Sequence, residues 1–504
     1  MRDRTILLAA AALMSVLAPS GARADTLEEA LLRAYAKNPN LEAARSVTRA
    51  VDEQRTQANA AYGPNLGVNV SHDYAFSRIR GVARANEGSD EGFATTASLN
   101  LSQPLFTSGR LAAGVDAASA NQQAARADLR ATSEQLILDV INAYVSLRRD
   151  IELYGVASEN YDLLRQQRDV TSARFRLRDA TAPDLDQTEN RVQLAAGRVI
   201  QARASVETSA ARYRNLVGDY PGPLAPPPPL PELAGLDALY AEAEVSNPEL
   251  EAARFVELGS RARVAAERAE LGPQIAASAF AQRSPLSRFQ NTARSESLGV
   301  GVTLSMPLYT GGLLPSRIRE AIERNQADQQ RVEQARRDAR ESLASNWSLL
   351  RSAGEALPRF ESAVRAAQSA VEGVKRQETA GIRTLRDLLD VTNDLLAART
   401  NAVQAESELY FRHAAVLRAA GILTIDRFAP RAAYDPDSYA PPGAAAAGLP
   451  LRPVLDPIDR LLLQNKVKPA PVDREDDPHF HWSEETKSLP MPLPAGERPG
   501  GAAE

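Results

Sequence analysis

Four short stretches of the chain alternate apolar and polar residues one by one, and the long stretches between them place apolar residues at every third or fourth position. Leu66, Val68, Val70, Tyr74 and Phe76 alternate with Asn65, Asn69, Ser71, Asp73 and Ser77. Phe93, Ala97, Leu99 and Leu101 alternate with Thr96, Ser98, Asn100 and Ser102, and Leu298, Val300, Val302, Leu304 and Met306 alternate with Ser297, Gly299, Gly301, Thr303 and Ser305. A period of two predicts a strand with one apolar and one polar face. The remaining strand, about 274–283, is alanine-rich and its pattern is weak.

Helical spacing fills the rest. Residues 26–61 read as helix, stopped by Gly63-Pro64, as Gly272-Pro273 stops its counterpart. Two much longer helices are predicted over 109–173 and 313–378, with return helices over 183–217 and 384–420. At 1.5 Å per residue, each long helix would reach roughly 98 Å. A return helix and the short N-terminal helix of the same half together match one long helix, which suggests that the two stack end to end beside it.

The two halves share one plan. Asn38-Pro39-Asn40-Leu41-Glu42-Ala43-Ala44-Arg45 matches Asn247-Pro248-Glu249-Leu250-Glu251-Ala252-Ala253-Arg254 at an offset of 209. Leu101 to Gly109 matches Leu304 to Gly312 at an offset of 203, through Pro104-Leu105-Phe106-Thr107 and Pro307-Leu308-Tyr309-Thr310. Units this long are not a solenoid, whose repeats run about 20 to 50 residues. They read as a duplicated supersecondary unit: a first repeat over 25–218 with hairpin 65–106, and a second over 235–425 with hairpin 274–309. A proline-rich linker at 219–234 joins them.

The ends change the picture. Arg2 and Arg4 precede the apolar run Ile6 to Ala18 and the small-x-small site Ala22-Arg23-Ala24, so 1–24 reads as an export signal. Thirteen residues, twelve of them apolar, are too few for a spanning helix, which needs about 20. Any membrane entry is therefore by strands. Beyond residue 426 lie 14 of the 32 prolines, so 426–504 reads as a disordered extension.

Long polar loops, Arg78 to Gly92 and Ser284 to Ser295, join the strands at one end only. Aromatic residues mark both strand ends, with Phe76, Phe93 and Phe280 above and Tyr62, Phe106 and Tyr309 below. Both features fit an outer-membrane barrel wall. Four strands cannot close a barrel, and open edges in lipid would leave backbone groups unpaired. Two copies would give eight strands, which fill their own interior; three would give twelve, enough for a passage.

Signal, duplicated halves, the paired Asn-Pro motifs and the paired Pro-Leu-Phe/Tyr-Thr-x-Gly passages resemble the TolC-like outer-membrane efflux and type I secretion channels over about 25–425. The resemblance implies mixed α and membrane β architecture. Four transmembrane strands per chain would join a trimeric twelve-stranded barrel, continuous with a periplasmic α-helical barrel. It also implies a passive exit duct in the cell outer membrane, opened at its periplasmic tip by an adaptor protein and an inner-membrane ABC or proton-driven pump.

On this basis the tip turns are 176–183 and 379–384. Gly381 sits in the second turn, Arg383 and Thr384 are possible gating contacts, and Asp387 and Asp390 are the candidate pore aperture, one face of a helix at spacing i, i+3. Three copies would stack two rings of negative charge, favouring cations. The local alternative for Asp387 is a capping box, Thr384-Leu385-Arg386-Asp387. Asp179, Thr181, Pro183 and Asp186 are the expected adaptor-facing residues of the first tip. That turn carries Asp179 where the family usually has glycine, so its backbone is expected to differ, and the tyrosine often found near Glu378 is missing.

Other chemistry is thin. No cysteine is present, and the four histidines, His72, His413, His479 and His481, build no believable catalytic or metal site. No phosphate loop or nucleophile elbow is found, so no enzyme and no cofactor is expected. Formal charge is −5, and −7 once the +2 of residues 1–24 is removed, which points away from nucleic acid. The rival readings are a periplasmic adaptor, which would lack duplicated amphipathic strands, and a helical scaffold, which would need sustained heptads.

Overall fold

The computed structural model describes residues 25–79, 88–429, 433–448 and 451–463. The expected export signal at 1–24, the segment 80–87 and the tail from 464 lie outside the described residues.

Helices α1 (Leu27–Lys37) and α2 (Pro39–Ala60) lead to strands β1 (Asn65–Ile79) and β2 (Gly88–Phe106), then to α3 (Arg110–Arg176) and α4 (Ala182–Val217). The order recurs as α5 (Leu236–Ser246), α6 (Pro248–Ala269), β3 (Gln274–Ser287), β4 (Gln290–Ser305), α7 (Leu313–Thr379) and α8 (Leu385–Ala419). Helices α3 and α7 each have 67 residues, about 100 Å of rise.

The stretch 26–61 is two helices rather than one. Pro39 disfavours helical backbone at Asn38, whose ψ is 122°, and the chain bends there. Asn38 then performs two tasks. Its Oδ1 accepts from the amides of Asn40 and Leu41, capping α2, and its Nδ2 donates to the carbonyl of Leu216 in the last turn of α4 at 3.2 Å. Asn247 repeats this at α6, capping Glu249 and Leu250 and donating to Ala419 of α8 at 3.1 Å. Each short helix thus starts where a return helix ends. Gly421, at φ +72°, lets the end of α8 press on the backbone of Ser246 and Asn247, where no Cβ would fit.

The largest core lies where these helix ends meet. Leu27, Leu31, Ile137, Ile141, Leu147, Tyr213 and Leu417 surround Tyr144, whose hydroxyl donates to the carbonyls of Asp25 and Ala225 at 2.8 and 2.7 Å. The linker is thereby held against the fold, with Asp25 and Leu224 forming a parallel bridge.

Past α8 the structure departs from the expected disordered extension. Residues 433–448 run beside α2, with Tyr439 donating to Glu53 at 3.0 Å and Arg126 paired to Asp437 at 2.6 Å. Helix α9 (Arg452–Asp459) follows despite Pro453 and Pro457. Its order comes from tertiary contacts that composition does not encode.

Candidate functional site

The four strands form one antiparallel sheet in the order β1-β2-β3-β4. Register assigns every side chain to a face. Leu66 pairs with Leu101, Val68 with Leu99 and Val70 with Ala97; across β2 and β3, Leu99 pairs with Ala281; across β3 and β4, Ala279 pairs with Val300 and Ala277 with Val302. One face is therefore continuously apolar, and it is uncovered: Val68 is 72% exposed, Val300 85% and Leu298 82%. The other face carries Asn65, Asn69, Ser71, Ser98, Asn100, Ser102, Ser278, Gln282 and Thr303.

Three expectations about this wall need correction. The strands are longer than their apolar alternation, because ladder pairing continues through polar residues: β1 and β2 pair from Asn65↔Ser102 to Ile79↔Gly88, and β3 and β4 pair up to Ser287↔Gln290. The long loop expected at 284–295 is thus mostly strand. Phe280 is not part of an aromatic belt beside lipid; it pairs with Asn100 and Gly299, which places it on the polar face, lying over Gly299. Tyr62 is buried, its hydroxyl donating to Asp456 at 2.9 Å while its carbonyl accepts from Gln103.

The two strand-to-helix junctions are surrounded differently. At the first, Gly109 is the N-cap of α3 and has no side chain with which to cap. Asp459 of α9, only 1% exposed, supplies the missing acceptor: its carboxylate takes hydrogen bonds from the amides of Thr107 (2.6 Å), Gly109 (3.1 Å) and Ala112 (3.4 Å) and from the Thr107 hydroxyl. A negative charge at a helix N-terminus is favoured. Arg460 anchors the arrangement through two 2.9 Å hydrogen bonds to Asp116. At the second junction Gly312 is likewise a bare N-cap of α7, and Leu308 and Tyr309 are each 90% exposed.

The opposite helix ends carry the turns. Helix α3 closes through amide Asp179 to carbonyl Arg174 at 2.9 Å, and α7 through Ile382 to Gln377 at 2.8 Å. The left-handed position is Gly381 (φ +71°) in the second turn and Arg178 (φ +61°) in the first. The expectation that Asp179 replaces the turn glycine, changing the backbone, is therefore corrected. The glycine position falls on Arg178, and the backbone geometry is the same in both turns.

Thr384 and Asp387 are brought together as a reciprocal cap, with amide–oxygen distances of 3.2 and 3.1 Å. Arg383 stands 4.0 Å from Asp387. The Thr384 backbone and hydroxyl contacts hold the Asp387 carboxyl below its usual range. Asp390, one helical turn on, pairs with Arg191 of α4 at 3.1 Å and stays about half exposed. In the first turn Thr181 caps α4, Pro183 occupies its first turn, and Asp179 and Asp186 are exposed.

Sequence reading missed Asp184, which forms with Thr181 the same cap that Asp387 forms with Thr384 and is likewise held below the usual range by Thr181. The spacing Thr181-x-x-Asp184 was its signal. It also missed Arg174–Glu378, a 2.6 Å pair tying the two turns together, which nothing in either local sequence announces. Among the described residues no cluster of ligating groups could hold a metal, and no helix is long and apolar enough to cross a membrane.

Among the described residues, a small sheet with one bare apolar face and two open edges runs on into helices about 100 Å long, a make-up suited to a chain that meets an outer membrane through strands. Comparison with known proteins agrees. The family model described as "Outer membrane efflux protein" matches residues 30–219 and 239–421. The outer membrane efflux protein BepC of Brucella suis is 29% identical over 437 residues, covering 86% of this chain and 94% of BepC. The outer membrane protein TolC of Escherichia coli is 23% identical over 427 residues, covering 80% and 83%. Among solved structures, the outer-membrane channel OprN superposes with a TM-score of 0.67 at 24% identity, covering 78% of this chain and 89% of OprN. This chain belongs to the outer membrane efflux protein family, and it is an outer-membrane channel protein.

Proposed function

We propose that three copies close a twelve-stranded barrel, four strands from each, above a periplasmic α-helical tunnel built from the two duplicated halves, and that this trimer is the passive exit duct of a tripartite efflux or type I secretion system. The observation that carries the reading is the uncovered apolar face, Leu66, Val68, Val70, Leu298, Val300 and Val302, on a sheet whose outer strands β1 and β4 have no partner beyond them among the described residues. Exposing this face to water would forgo roughly 25 cal/mol for each Å² it could bury. Lipid covers the face, and only further copies satisfy the edges. A helical scaffold or a periplasmic adaptor has no use for such a sheet.

The turns at the far ends of α3 and α7 form the periplasmic tip. Asp387 and Asp390 line its aperture as stacked carboxylate rings, with Gly381, Arg383 and Thr384 shaping the turn. Asp179, Thr181, Pro183 and Asp186 face the adaptor, and an inner-membrane ABC or proton-driven pump supplies the energy. The capping role of Asp387 is compatible with this, because a carboxylate that binds its own helix start stays ionised and about two-fifths exposed. Arg174–Glu378 and Arg191–Asp390 tie the two hairpins together, so loosening them frees the tip to open.

The duct is tested in planar bilayers. The trimer should conduct with cation preference, and Asp387→Asn with Asp390→Asn should reduce that preference and relieve block by divalent cations. Unchanged currents would remove the aperture assignment, and absence of conductance from wild-type protein would remove the duct.

A further inference from the structure

Helix α9 and the turn after it have two apolar sides. Leu455 lies inside the first junction, packed with Tyr62 and Val115 and flanked by Leu105, Leu111 and Leu451. On the other side Val454, Ile458, Leu461 and Leu462 are between 43% and 77% exposed. The spacing i, i+4, i+7 gathers Val454, Ile458 and Leu461 into one stripe.

Among the described residues, nothing covers the second junction. Met306, Leu308, Tyr309 and Leu313 are all exposed there. At the 203-residue offset, Leu308 corresponds to Leu105, which α9 covers in the first junction. Position decides what reaches it. The segment carrying α9 runs beside α2 and the base of β1, through Tyr439–Glu53 and Asp456–Tyr62, whereas Leu308 and Tyr309 follow β4 at the opposite edge of the sheet. Within one chain the two stay apart. In a ring closed by β4 of one copy against β1 of the next, they come side by side.

We propose that residues 451–463 of each copy also cover the second junction of the neighbouring copy, seating Val454, Ile458, Leu461 and Leu462 against that copy's Leu308, Tyr309 and Leu313. One segment then caps the first junction of its own chain with Asp459 and seals the subunit boundary with its outer stripe, at the level where barrel meets tunnel. The inference rests on the oligomeric reading above.

The chain has no cysteine, so introduced pairs report cleanly. Ile458→Cys with Tyr309→Cys, and separately Val454→Cys with Leu308→Cys, are oxidised in the full-length detergent-extracted protein, whose mass is first measured by native mass spectrometry. A trimer that yields reducible covalent dimers and trimers for at least one pair, and none from the single variants, is the expected result. A trimer in which neither pair cross-links overturns the proposal and leaves the oligomer standing; a monomer overturns both. Ile458→Trp supplies an independent reading in liposomes: fluorescence should be little changed by brominated lipid, and strong quenching would assign the stripe to the bilayer and overturn the contact.

Discussion

The two strand-to-helix junctions are built from nearly the same residues, Pro104-Leu105-Phe106-Thr107-Ser108-Gly109 and Pro307-Leu308-Tyr309-Thr310-Gly311-Gly312, yet one is sealed and one is bare. The difference does not arise in the junctions themselves. A segment some 350 residues away in sequence delivers Asp459 to the first, and among the described residues nothing comparable reaches the second. Local sequence specifies a turn, and what closes over it is settled by chain topology.

Removing Asp459 should therefore separate the junctions most strongly. Asp459→Ala leaves the buried amides of Thr107 and Gly109 without an acceptor, at a cost of about 3 kcal/mol. Hydrogen exchange should rise at least tenfold in the peptide 104–113 and stay unchanged in 307–316. Equal changes in both peptides would mean that the cap acts through global stability.

The long helices differ next. Glu134 of α3 is 2% exposed with both carboxylate oxygens lacking hydrogen-bond partners, and burial pushes its carboxyl up to about 8. Its counterpart at the 203-residue offset, Arg337 of α7, is mostly exposed and paired with Glu333. Because the folded-state value lies above the unfolded one of 4.5, the stability of the neutral buried form is fully present below about 4.5 and is lost as pH rises towards 8. The loss should amount to a few kcal/mol at most. Thermal unfolding of wild type should weaken between pH 5 and pH 8, and Glu134→Gln should flatten that dependence; a parallel decline in both would assign it to other groups.

The tip turns differ least, sharing one backbone on two residue types. Arg178→Gly should stabilise the first turn by up to ~1 kcal/mol, and Gly381→Arg should cost about 1 kcal/mol in the second. Thermal unfolding of the two single variants measures both, and effects of the same sign would break the equivalence of the turns.

Much of the fold was legible because long periodic segments advertise themselves. The long helices end within a few residues of where their spacing stops, and Leu66, Val68 and Val70 fall on one face as alternation requires. Strand ends were harder, since Arg283↔Glu296 and Phe76↔Glu91 continue the ladder after the apolar signal has faded. Tyr62 and Phe280 were misplaced because an aromatic near a strand end carries no mark of which surface it meets. The proline-rich segment hid α9, whose order depends on Asp456, Asp459 and Arg460 finding distant partners. At the tip, the Thr-x-x-Asp cap was readable for Asp387, while Arg191 and Arg174 became visible as partners only once the hairpins were side by side.

The proposed channel requires the apolar face of the sheet to meet lipid. Single spin labels attached through cysteine at Val68, Val300 and Val302, and at Asn69, Gly301 and Thr303, can be placed in the otherwise cysteine-free chain and read in liposomes. The first three should relax with lipid-soluble oxygen and the second three with a water-soluble nickel reagent. Equal access of the nickel reagent to both sets would contradict a membrane wall.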